Sequence, residues 1–147
     1  PVAASDAMIE AHRLAPEFLP LTKECGSLLL DAGRADAWME ILESLPASVR
    51  ADKRIMLLEI RAALQGNELD RAARLLKEKP IPADLREAEA SLTNAWQELQ
   101  ERRISRDEGI PRDAALWERV QRECPPPADI DFRMRPDIMP EALQAKP

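Results

Sequence analysis

Tyrosine is absent, and three Trp and two Phe are the only aromatic residues among 147. Val and Ile are sparse as well, so the residue types that build sheets are too few for a β-protein. Glycine occurs only four times and never in a Gly-rich phosphate-binding pattern. One histidine, His12, and two distant cysteines, Cys25 and Cys124, provide no metal-ligand spacing. No serine sits in a nucleophile elbow. No apolar run approaches the roughly 20 residues a membrane-spanning helix requires. An excess of positive charge is also missing. The formal net charge of -6 gives no general attraction to nucleic-acid phosphates.

What remains is rich in Ala and Leu. The apolar fraction of 45% supports a sizeable core, and the composition favours an all-α chain of one domain. Thirteen prolines exclude one continuous coiled coil. Cys25 and Cys124 read as small apolar fillers in a reducing, cytoplasmic setting, with a single long-range disulfide left open.

Apolar periodicity and breakers divide the chain into helices at 1–14, 18–32, 35–45, 50–65, 68–79, 85–107 and 111–123. The stretch Gly33 to Pro46 returns as Asn67 to Pro80, a period of about 34 residues, which is the length of a two-helix repeat unit. Asp36 maps onto Asp70, Trp38 onto Ala72, Leu42 onto Leu76 and Pro46 onto Pro80. The expected inner faces are Ala4, Ala7, Met8 and Ala11; Leu21, Cys25, Leu28 and Leu29; Trp38, Ile41, Leu42 and Leu45; Ile55, Leu58 and Ala62; and Leu69, Ala72, Leu75 and Leu76. Asp84 reads as an N-cap with Glu87 as its capping-box partner. Glu87 and Glu89 point to different sides of a helix, so they form no carboxylate pair.

These residues resemble the tetratricopeptide repeat superfamily. The likeness rests on Pro16, Cys25, Gly26, Leu28, Gly33, Trp38, Pro46, Ala62, Asn67, Leu69, Ala72 and Pro80, about half the chain. Trp38 departs from the pattern, which usually has Ala there. The resemblance implies a helix-pair solenoid of about six antiparallel helices with an extended Pro-rich tail. A half-repeat would cover 1–15, repeats 17–46 and 51–80, capping helices 84–124, and the tail 125–147. A chain starting in mid-repeat predicts a piece of a longer protein. A second resemblance covers the C-terminal half, through Arg86 to Leu92, Trp96, Glu108 to Pro111, Pro125 to Pro127 and Asp131 to Met134. It is similar to the ends of large bacterial tetratricopeptide proteins with an N-terminal domain related to carbohydrate enzymes.

The resulting functional expectation is a non-catalytic protein-binding or interdomain module that needs no cofactor. The alternative is an accessory or oligomerisation domain of a carbohydrate-active enzyme. The implied concave groove is lined by Thr22, Cys25 and Leu29 from one repeat and Met56, Glu59 and Ala63 from the next. The groove lacks the Lys and Asn with which family members clamp a peptide carboxylate. The tail is expected to dock through Asp131, Phe132 and Arg133 near Trp96, with Arg86 or Glu87 as charge partners. His12 is expected to be exposed. The N-terminal half-repeat is a candidate self-association face, and neither nucleic acid nor membrane is an expected partner.

Overall fold

The computed structural model describes residues 2–83 and 91–133. Among the described residues every regular element is helical. They are α1 (Val2–Leu14), α2 (Leu19–Asp31), α3 (Ala35–Ser44), α4 (Ala47–Arg50), α5 (Lys53–Gln65), α6 (Leu69–Lys77), α7 (Ser91–Glu108) and α8 (Ala114–Glu123). A 3-10 turn at Ala128–Ile130 follows. The expected helix start at 85, with its N-cap Asp84, lies outside the described residues. Over the described residues the sequence-based boundaries agree to within about three residues except at α4. This single turn after Pro46 separates from α5, which Asp52 starts by accepting from the amides of Arg54 and Ile55. An N-cap carboxylate satisfies amides the helix itself leaves open.

The repeat is visible in the helix ends. Gly33 adopts φ +72°, and its amide donates to Leu30 while that of Arg34 donates to Leu29. One period later, Asn67 adopts φ +60°, its amide donates to Leu64, and that of Glu68 donates to Ala63. Both ends are Schellman motifs, in which a left-handed residue returns two amides to the last carbonyls. Asn is one of the few non-Gly residues that tolerates this conformation. The Gly66 next to it has an ordinary negative φ.

Packing is sequential. Helix α2 contacts α1, α3 and α5, whereas α5 contacts α2, α3, α4, α6 and α7. Helix α7 contacts α5, α6 and α8. Thus α5 divides two cores. Its Ile55 and Ala62 join Cys25, Leu29, Leu30, Ala35, Trp38, Leu42 and Leu45 on one side. Its Met56, Ile60, Ala63 and Leu64 join Leu69, Ala72, Leu75, Leu76, Leu92, Leu99 and Ile130 on the other.

Several expected inner faces rotate. Helix α1 points Ser5, Met8, Ile9 and His12 inward and exposes Ala4 and Ala7. Met8 and Ile9 remove more apolar surface from water than alanines can, and they set the rotation. Arg34 fixes it by donating to Ser5 Oγ at 2.8 Å and to Asp6 Oδ1 at 2.5 Å. On α2, Thr22 and Leu30 are buried, while Leu21 and Leu28 are half-buried. Ile41 and Leu58 are likewise half-buried.

Trp38 is fully buried. Its indole fills the space over Gly26, where an added Cβ would lie 2.9 Å from Trp38 Cη2 and Cζ2. Gly26 therefore accommodates a side chain here, rather than a close backbone crossing. The equivalent positions in the next unit are Ile60 and Ala72, both in the second core. One pair sets the large residue on its second helix, and the other sets it on its first.

Candidate binding groove

The six residues expected to line a groove lie inside the packed body instead. Thr22, Cys25, Leu29 and Ala63 are fully buried, and Met56 and Glu59 nearly so. Thr22 Oγ1 donates to the Phe18 carbonyl at 3.2 Å, which satisfies the hydroxyl within its own helix. Burial pushes the Cys25 thiol pKa up to about 11, so the group is protonated and unreactive at neutral pH. Glu59 Oε1 accepts from Arg71 Nη2 at 2.7 Å, from Arg71 Nε at 3.0 Å and from Arg50 Nη2 at 3.3 Å. These contacts compensate the charge of a carboxylate taken out of water.

The open face is a different side of α2 and α5, since each residue step turns a helix by about 100°. Lys23 and Ser27 of α2, Arg54, Leu57, Leu58 and Arg61 of α5, and Asn94, Ala95 and Glu98 of α7 enclose a groove of about 420 Å³. Lys23 stands 34 residues before Leu57, and Ser27 34 residues before Arg61. The floor is aliphatic and the rim charged. Lys23 pairs with Asp52 at 3.5 Å, Arg61 with Asp31 at 2.6 Å and Glu98 with Arg102 at 2.8 Å. These surface pairs are weak and can exchange partners at little cost. The polar residues Lys23, Ser27 and Arg61 were the available sequence signal for this face. The strongly apolar neighbours Cys25 and Leu29 obscured it.

A second depression of about 600 Å³ lies between α1 and α3, with His12, Asp6, Glu10, Arg13, Arg34 and Glu40 among its lining residues. His12 is 4% exposed, contrary to expectation, because α1 turns this side chain toward the body. Its Nε2 has no hydrogen-bond partner, and burial lowers its pKa. Among the described residues no group of three His, Cys, Asp or Glu side chains is placed to hold a metal ion. No described helix is long and apolar enough to cross a membrane.

The tail joins the second core. Ile130 is buried in it and Phe132 packs against it, as does Trp96. Thr93 Oγ1 donates to the Ile130 carbonyl at 2.7 Å and accepts from the Phe132 amide at 2.8 Å. Trp96 Nε1 donates to the Cys124 carbonyl at 3.3 Å, and Lys79 pairs with Asp129. Asp131 and Arg133 bind each other at 2.7 Å. Arg86 and Glu87, the expected charge partners, lie outside the described residues. The stretch from 125 to 133 thus packs on the α6–α7 region, and the rest of the expected tail, 134–147, lies outside the described residues. Both cysteines are free thiols.

No family model, curated protein or solved structure matches this chain.

Proposed function

We propose that the chain is a non-catalytic protein-interaction module of the tetratricopeptide type. Its groove on α2, α5 and α7 takes a segment of another protein, or of another domain of the same chain. The carrying observation is that the groove is built from the first helix of each successive pair, with equivalent residues lining it at the repeat interval. An aliphatic floor at Leu57 and Leu58 inside an exchangeable charged rim suits a peptide segment with apolar anchors. The free thiols fit a reducing, cytoplasmic setting.

A displayed peptide library supplies the test. Peptides captured by the chain are expected to lose affinity about 10-fold or more on Asn94→Arg or Ser27→Glu, changes that narrow the groove. Asn94 is exposed, so Asn94→Arg should leave thermal unfolding unchanged. Undiminished capture by both variants would reject this surface.

A further inference from the structure

The groove on α2, α5 and α7 departs in charge from the chain around it. The whole sequence carries a formal net charge of -6. Among the described lining residues, Lys23, Arg54 and Arg61 are cations and Glu98 is the one acid. The two signs are also compensated differently. Glu98 accepts from Arg102 Nε at 2.9 Å, and Arg112 stands 3.8 Å away. Two guanidiniums that do not line the groove therefore hold its charge. The cations are held more loosely. Lys23 lies 3.5 Å from Asp52 Oδ2, while Oδ1 of the same carboxylate caps α5. The positive end of that helix balances part of the acid's charge and leaves less for the ammonium. Arg61 makes one hydrogen bond among the described residues, from Nη2 to Asp31 Oδ1 at 2.6 Å. A guanidinium has five donors, so most of this fork remains open.

We propose that the occupant of the groove is an acidic peptide segment, with side-chain carboxylates on both sides of an aliphatic anchor. This rests on the groove reading and adds the chemistry of the partner. Lys23 reaches the start of α5 and Arg61 reaches the end of α2, so the two cations bracket the floor at Leu57 and Leu58. The anchor covers that floor, and one flanking carboxylate meets Lys23. The other meets the open fork of Arg61, where a planar carboxylate can accept two parallel hydrogen bonds. A basic segment would face the cations and find Glu98 already engaged. Asp31 competes with the partner for Arg61, and it is itself exposed at the surface.

Random peptides displayed against the intact chain supply the test, followed by titration of captured sequences as synthetic peptides with amidated C-termini. Captured sequences should be enriched in Asp and Glu on both sides of Leu, Ile or Val. Their affinity should fall about 10-fold between about 0.05 M and about 0.5 M salt. Lys23→Gln combined with Arg61→Gln should weaken the acidic peptides about 10-fold, and melting of that variant checks its fold. Asp31→Asn, an exposed single change, should instead tighten them about 3-fold by releasing Arg61. Asn94→Trp fills the groove without adding charge and should abolish capture. Capture that Asn94→Trp abolishes, but that shows no acidic enrichment and no gain on Asp31→Asn, would overturn the proposal and leave the groove standing. Capture that survives Asn94→Trp would remove the groove reading and this inference with it.

Discussion

The α2–α3 and α5–α6 pairs share one backbone plan and fill it differently. Their Schellman ends coincide when the chain is shifted by one repeat, with Gly33 and Asn67 in the left-handed position. Inside, Gly26 and Trp38 occupy the positions that Ile60 and Ala72 occupy in the second pair. Cys25 occupies the position of Glu59. The first pair is thus an apolar unit closed by one indole. The second carries a buried carboxylate held by Arg50 and Arg71. What the two pairs share is the geometry of their helix ends, while the large side chain sits on the second helix in one and on the first in the other. Dense packing accepts either placement as long as the space between the helices is filled.

The sharpest way to break the comparison is at Trp38. Trp38→Ala empties the largest fully buried side chain of the first pair and should cost about 3–5 kcal/mol. Converting the first pair to the plan of the second, with Gly26→Ile added to Trp38→Ala, should recover part of that loss. Gly26→Ile alone should destabilise by about 1–3 kcal/mol, because its Cβ would meet the rigid indole and Leu58 at 2.9 Å. Denaturant unfolding of the four chains forms a double-mutant cycle. Additive effects would refute the size exchange.

A smaller effect is expected at the second contrast. Glu59→Gln keeps the shape and removes the charge that Arg71 and Arg50 share. Arg71 is only one-fifth exposed, whereas Arg50 is more open. The loss should therefore fall below the cost of a fully buried broken pair, at about 2 kcal/mol. Cys25→Ser, at the equivalent position, places an unpaired hydroxyl in an apolar setting and should cost about 1–3 kcal/mol. Raising the salt concentration should reduce the loss from Glu59→Gln and leave that from Cys25→Ser unaltered. Equal salt responses would remove the distinction drawn between the two pairs.

Much of this architecture was legible because periodicity and breakers are local signals. Gly33, Pro46, Asn67 and Pro80 delimit elements without tertiary information. The groove and the orientation of α1 were less legible. Turning a helix by one residue moves a side chain by about 100°, and Ala-rich helices specify that angle weakly. On α1 the angle is set by Met8, Ile9 and the reach of Arg34 to Ser5 and Asp6. The last of these is a contact between residues 29 and 28 positions apart, respectively. Trp38 was expected on an inner face, but its pairing with Gly26 across two helices was not legible. Such pairings across helices have no signature in the local pattern.

His12 extends the comparison to α1, which packs on the first pair through α2 and projects this imidazole inward. Its counterpart in the next unit is Pro46, so the buried titratable group belongs to α1 alone. Burial disfavours the imidazolium, and the folded-state pKa lies below the usual 6.5. Between the folded and unfolded pKa values the unfolded chain binds more protons, so stability falls as pH drops. The contribution is fully present above pH 6.5 and is lost as pH falls through the folded value. The net effect should be modest, a melting temperature a few degrees lower at about pH 5 than at about pH 7.5. His12→Gln should flatten that part of the pH profile while leaving the helix content of α2 to α8 intact. An unchanged slope in His12→Gln would assign the acid sensitivity to the carboxylates and remove His12 as its source.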